Sequence, residues 1–218
     1  MVRDLPRLQT VEAVTMIAGE NGSGKSTLIE ALAIGAGFAA QGGSLSGELG
    51  RRSDRADRVL ADAIDIETGS NRPRAGFFLR AESFFNVAAI IDAKELGEIY
   101  GGQALHAQSH GESFLALAAN RFGGDGLFIL DEPEAALSVT SQLAFINLMR
   151  RSIAAGSQFI LATHSPILLS YPDAVIYEAA ETGLSAVEAD DTDAVRLTRS
   201  FLAAPERFLR HLAADDHG

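Results

Sequence analysis

Cysteine does not occur in this chain, so neither a disulfide framework nor a thiolate metal site can be built, which fits a reducing cytoplasm. No apolar run approaches the ~20 residues needed to cross a bilayer as a helix, and the first residues lack the basic-then-apolar layout of a secretory leader. A cytoplasmic location with no integral membrane segment is therefore expected. Positive charge is also scarce: 18 Lys and Arg stand against 29 Asp and Glu, for a net charge of −11. Non-specific affinity for nucleic acid comes from displacing counterions with basic side chains, so a surface attractive to phosphate backbones throughout is excluded. Any such contact must be local. The best local candidate is Arg51, Arg52, Arg55 and Arg58, but Asp54 and Asp57 interleave with them at helical spacing. That is the pattern of a solvated, self-paired helix face. Repeats, low-complexity tracts and long linkers are lacking as well. With 218 residues, 47% of them hydrophobic and 22% charged, the chain has the size and composition of one well-buried domain.

Against these absences stands one dense motif. Gly19, Glu20, Asn21, Gly22, Ser23, Gly24, Lys25 and Ser26 follow one another and are succeeded by Thr27. Glycines at 19, 22 and 24 allow the backbone to fold closely around an anion with successive N–H groups pointing inward. Lys25 can then reach the β- and γ-phosphates of a nucleoside triphosphate, and the Ser26 hydroxyl can ligate Mg²⁺. Residues 14–18 read as a buried strand and residues 26–34 as an apolar-faced helix, whose N-terminal dipole favours phosphate.

Further along, residues 35–50 are rich in Gly, Ala and Ser and read as a flexible loop. Residues 59–67 and 76–81 flank a turn-forming stretch and read as a hairpin. A helix is expected after Ser109, a short buried strand over 126–130, and a long helix over 138–155 with Leu143, Ile146 and Met149 on one face, ended by Gly156. Residues 158–163 read as another buried strand, and residues 174–180 with 184–189 as a β-hairpin. Alternating strands and helices predict an α/β fold, a mostly parallel sheet with helices on both faces.

Three further groups carry chemistry. Four apolar residues, Leu127 to Leu130, end in adjacent carboxylates Asp131 and Glu132. In phosphate-loop enzymes the first would hold Mg²⁺ and the second would orient and deprotonate the attacking water. Ser109 and Glu112 have the spacing of a capping box, which by itself explains both. Equally, Gly111 permits close approach, and Ser109 with the helix N-terminus could donate to a γ-phosphate presented by another subunit. His164 follows a strand predicted to run parallel to the one ending at Asp131. It therefore lies at the carboxyl edge of the sheet, where open α/β folds bind ligands, and is a candidate γ-phosphate contact. His106, His110, His211 and His217 show no metal-ligand spacing and are assigned no role.

Residues 19–27, 109–113, 130–137 and 163–166 resemble, in this order, the phosphate loop, signature motif, Walker B segment and switch histidine of ABC-type ATPases. More narrowly, residues 77–85, 109–113, 131–138 and 162–166 are similar to small stand-alone bacterial predicted ATPases related to the RecF and SMC branch. The resemblance implies one P-loop ATPase domain over residues 1–218, with a short or truncated N-terminal β subdomain and a signature-helix region near 82–124. It also implies ATP and Mg²⁺ as ligands and a homodimer packed head to tail, each ATP lying between the phosphate loop of one subunit and the signature helix of the other. Carried over residue by residue, Lys25 and Ser26 bind phosphate and metal, Asp131 supports the metal, Glu132 is the base and His164 senses the γ-phosphate. Ser109 and Gly111 act in trans.

Three departures accompany the resemblance. The signature reads Ser-His-Gly-Glu-Ser where transporters have Leu-Ser-Gly-Gly-Gln. Glu82 stands near the family's metal-binding glutamine, and residues 1–18 hold no aromatic on which adenine could stack. The expected function is Mg²⁺-dependent ATP hydrolysis by an ATP-gated dimer, coupled to DNA maintenance or to a partner protein. Sustained heptads are lacking between Lys25 and Ser109, so long coiled-coil arms are not expected. The alternatives are the nucleotide-binding subunit of an ABC transporter, which the first two departures disfavour, and a non-enzymatic ATP switch, against which the Asp131–Glu132 pair argues.

Overall fold

The computed structural model describes residues 8, 10, 12–45, 58–67, 69, 73, 75–80, 84, 110–180 and 183–215. Its strands are β1 (Val14–Gly19), β2 (Gly43–Ser44), β3 (Ala75–Arg80), β4 (Gly126–Asp131), β5 (Gln158–Ala162), β6 (Val175–Ala180) and β7 (Gly183–Val187). Among the described residues the helices are α1 (Lys25–Gly35), α2 (Arg58–Ala61), α3 (His110–Arg121), α4 (Val139–Ala154), α5 (Pro166–Leu169), α6 (Asp193–Ala203) and α7 (Pro205–Asp215). The strands form one sheet in the order β2-β3-β4-β5-β1-β6-β7. The pairs from β3 through β6 are parallel, and β2 and β7 close the two edges antiparallel.

Strand periodicity explains why both faces of the sheet are covered. In β1, Val14, Met16 and Ala18 enter one core and Ile17 the other. β4 divides Phe128 and Leu130 from Ile129, and β5 divides Phe159 and Leu161 from Ile160 and Ala162. Alternate side chains point to opposite faces, so strands apolar at every position require a layer on each side. One layer is α1, through Leu28, Ile29 and Ala33. The other is built by α3, α4 and α5 through Phe114, Leu117, Phe145, Met149 and Leu168. Partly buried against this core, Phe122 lies 4.6 Å from Phe128, 5.2 Å from Phe159 and 5.9 Å from Phe145, measured between ring centroids. Tilted and edge-to-face contacts of this kind are favoured between aromatic rings.

Several expectations hold. The β6–β7 hairpin forms, and α4 starts on Ser138, whose side chain accepts from the Ser141 N–H, before giving way to Gly156 at φ +92°. Others are corrected. Residues 59–67 form no hairpin strand: α2 covers Arg58–Ala61 and a turn follows, while β3 pairs antiparallel with β2 and parallel with β4. The expected loop over 35–50 therefore contains the edge strand Gly43–Ser44. On α4 the buried stripe is Gln142, Phe145, Met149 and Ser152, whereas Leu143 is 56% exposed. Gln142 replaces it in the interior because its amide is satisfied there: Nε2 donates to the Leu137 carbonyl at 3.2 Å, and Oε1 accepts from the Ser165 hydroxyl at 2.6 Å. The described residues include no helix long and apolar enough to cross a membrane.

Candidate functional site

Because β1, β5 and β4 are adjacent and parallel, the segments leaving their C-terminal ends converge on one edge of the sheet. In such sheets this edge is where ligands bind. The segment after β1 is the loop from Glu20 to Gly24, which leads directly into α1. Its glycines take left-handed backbone angles, with φ of +80° at Gly22 and +89° at Gly24, where a Cβ would be strained. Glu20, Asn21 and Gly22 are exposed, so the loop opens to solvent at the head of the helix.

Gly19 has a stricter requirement. Its φ is +138°, and a Cβ there would stand 2.7 Å from the Ala179 carbonyl oxygen of β6 and 3.0 Å from Ser23 Oγ. Gly19→Ala should therefore cost about 1–3 kcal/mol of stability, read as a lower urea midpoint at unchanged m-value.

Lys25 is 3% exposed, although its amine carries charge. The ammonium donates to the Glu20 carbonyl at 2.7 Å, so it folds back over the loop it follows. Burial of such a group requires a partner, and this one lies at the loop's solvent side. Ser26, the next residue, donates its hydroxyl to Asp131 Oδ1 at 3.0 Å. The phosphate loop and the acidic end of β4, 105 positions apart in sequence, are thereby in contact.

Glu132 leaves β4 with φ +51°, a conformation that is uncommon outside glycine and concentrates at functional positions. The surrounding hydrogen bonds impose it. The Glu132 N–H still donates to the Ala162 carbonyl at 2.9 Å, extending the ladder by a residue, while its own carbonyl already accepts from the Ala135 N–H at 3.0 Å in the 3₁₀ turn Pro133–Ala136. Across the gap stands His164, whose ring Nδ1 is 3.7 Å from Glu132 Oε1 and 3.5 Å from Glu134 Oε1.

Lys25, Ser26, Asp131, Glu132 and His164 thus share the sheet edge with the loop residues Gly19 to Thr27. Gly111 does not meet this cluster. It packs at the start of α3, where a Cβ would lie 3.2 Å from Ser141 Oγ and 3.3 Å from the Ala136 carbonyl, so close helix packing accounts for the glycine. Ser109, Glu82, Arg51, Arg52 and Arg55 lie outside the described residues, as does the side chain of Arg58.

Two groups had no role in the sequence reading. Arg80, at the end of β3 and in register with Asp131, sets Nε 3.6 Å from Asp131 Oδ2 and Nη1 3.0 Å from Glu30 Oε2 of α1. The other is Glu134. The only available signal for either was its place, Arg80 at a strand end and Glu134 two residues beyond a candidate base.

The donor set suits Mg²⁺, which takes one or two protein oxygens, keeps several waters and shares the substrate's phosphates. Ser26 and Asp131 supply such oxygens, and Ser23 Oγ is a buried hydroxyl with no partner inside the loop among the described residues. No cluster of three or more His or acidic side chains forms a protein-only metal cage among those residues.

A family described as "AAA domain, putative AbiEii toxin, Type IV TA system" matches residues 14–85 and 101–170. The cytochrome c biogenesis ATP-binding export protein CcmA of Ruegeria sp. (strain TM1040) is 31% identical over 150 residues, covering 68% of this chain and 70% of that protein. Among solved structures, an SMC head domain from Thermotoga maritima aligns at 18% identity and a TM-score of 0.45, covering 83% of this chain and 92% of that one. A putative metal-chelate type ABC transporter in an inward-facing conformation aligns at 19% identity and a TM-score of 0.44, covering 82% and 72%. The family match spans more than half of the chain, including the phosphate loop, the paired acids and the histidine segment, and the chain belongs to this AAA-domain family of ABC-type P-loop ATPases.

Proposed function

We propose that the chain hydrolyses ATP with Mg²⁺ at this sheet edge and works as an ATP-gated, head-to-tail dimer. The observation that carries the reading is the Ser26–Asp131 contact, which joins the phosphate loop to a strand end bearing two acids. The loop amides and Lys25 bind the triphosphate, with the Lys25 ammonium exchanging its Glu20 carbonyl for phosphate oxygens. Ser26 and Asp131 would hold Mg²⁺, which would supply positive charge to offset that of the β- and γ-phosphates. Glu132 accepts a proton from the water whose oxygen attacks the γ-phosphorus as the bond to the bridging oxygen breaks. His164, 46% exposed and 3.7 Å from Glu132 through Nδ1, would donate to the γ-phosphate. Arg80 keeps the Asp131 carboxylate oriented through its second partner, Glu30. Ser109 and Gly111 would serve the partner's nucleotide, and hydrolysis would release the dimer.

Coupling to DNA maintenance or to a partner protein completes the reading, with DNA contact restricted to a local patch by the net charge of −11. The export function in the name of the CcmA relative supports a second reading, the nucleotide-binding subunit of a transporter.

The test is release of inorganic phosphate by the purified chain, with Mg²⁺ or EDTA, with and without duplex DNA at low salt, and with GTP as competitor. Turnover that requires Mg²⁺ is expected. Residues 1–18 offer no ring for adenine, so preference for ATP over GTP should stay below about a hundredfold, or ~2.7 kcal/mol. No phosphate release under any of these conditions would leave a binding-only switch.

A further inference from the structure

We propose that Glu134 is a positioning residue, which fixes the His164 segment against the Glu132 segment so that histidine and base face the substrate as one unit. The inference rests on the reading of Glu132 and His164 given above.

The two segments leave adjacent parallel strands, and regular pairing ends between them. The last ladder rung is the bond from the Glu132 N–H to the Ala162 carbonyl. Beyond it, Pro133 turns one chain into a 3₁₀ helix and Thr163 starts the other toward α5. Glu134 Oε1 bridges this gap, accepting from the Thr163 hydroxyl at 2.7 Å and from the His164 backbone N–H at 2.8 Å. A side-chain carboxylate thus takes the place of the next rung. The Thr163 hydroxyl in turn accepts from the Ser165 N–H at 3.0 Å, so the bridge orients three successive residues.

Simple helix capping does not explain this arrangement. Ser165 already caps α5, its hydroxyl accepting from the N–H groups of Ile167 and Leu168. Nor does fold stability, because the Glu134 side chain is only 7% exposed and its second oxygen, Oε2, is buried without a hydrogen-bond partner among the described residues. Burying an ionisable group with a lone oxygen unsatisfied is unfavourable, and in native structures such atoms mark functional constraints. The same carboxylate lies 3.5 Å from His164 Nδ1, on the ring edge shared with Glu132. A residue that holds the backbone of a catalytic side chain and also touches its ring determines where that ring points.

Glu134→Ala and Glu134→Gln separate geometry from charge. Glutamine keeps an oxygen acceptor at the same reach, whereas alanine removes it. In Glu134→Ala, kcat should fall about tenfold or more while ATP affinity stays within about twofold, because the phosphate loop is untouched. Glu134→Gln should restore turnover to within about threefold of the unmodified protein. Thr163→Val, which removes the other end of the bridge, should reproduce part of the kcat loss and stands in if the alanine variant folds poorly. A second readout is independent of hydrolysis: the ring Cε1–H resonance of His164, assigned by its loss in His164→Ala. It should move in Glu134→Ala and move less in Glu134→Gln, which removes the charge beside the ring but keeps the bridge. Unchanged kcat and an unmoved resonance in Glu134→Ala overturn the proposal, as does a glutamine variant as slow as alanine. If the unmodified protein releases no phosphate, the hydrolytic reading fails by itself and the resonance alone decides the positioning role.

Discussion

Glu132→Gln is expected to bind ATP as the unmodified protein does and to lose about 10²–10⁴-fold in turnover, the range supplied by a positioned general base. The amide keeps the length and shape of the side chain, so the backbone turn at φ +51° and the bond to the Ala162 carbonyl persist. The oxygen at 3.7 Å from His164 Nδ1 also remains, but without the basicity to take a proton from water. Because hydrolysis is the step that would separate two subunits, the variant should accumulate as an ATP-bound dimer. Size-exclusion chromatography with light scattering, with and without Mg-ATP, reads the mass directly. A monomer at saturating ATP, alongside active unmodified protein, would rule out the composite dimer site and leave Gly111 with only its packing role.

Lys25→Ala should act earlier, on binding. It removes the cation nearest the loop and should weaken ATP affinity by about 3 kcal/mol, roughly 150-fold, the sum expected for charge-assisted contacts to two phosphates. Thermal stability should change little: the carbonyl that Lys25 satisfies belongs to exposed Glu20 and can be hydrated instead. Isothermal titration with a non-hydrolysable analogue, alongside a melting curve, separates the two. A large fall in Tm with unaltered affinity would mean that the lysine braces the loop and does not bind phosphate. This variant should remain monomeric with ATP, opposite to Glu132→Gln.

The parts of this site legible in the sequence are those whose chemistry forces local backbone geometry. Three glycines before Lys25 and Ser26 admit few structures, and four apolar residues ending in two acids read as a buried strand delivering its charges to an edge. What escaped depends on partners far away in the chain. Glu134 looks like an ordinary acid at a helix start, and its burial follows from Thr163 and His164, about thirty positions on. Gln142 looks like a solvent-facing residue between Leu143 and Ser141, yet Ser165 and the Leu137 carbonyl draw it inside. Residues 64–67 alternate apolar and acidic side chains as a strand would, but the edge beside β3 is taken by Gly43–Ser44. Two residues are too few to carry any period.

The placement of β1 between β5 and β6 also has a consequence for synthesis. Residues 14–19 leave the ribosome well before the strands that flank them, which end only at Ala162 and Ala180. Pairings so distant in sequence form late, since the intervening chain must be ordered before they are rewarded. The nascent phosphate loop therefore has no neighbouring strand to hold its root until β5 has emerged, and Gly19 has no β6 carbonyl to pack against until Ala179 is made. The root of the loop is thus supported on both sides only once β6 has emerged, and a product halted before β6 would carry the complete loop sequence with one side of its root strand unpaired and open to aggregation.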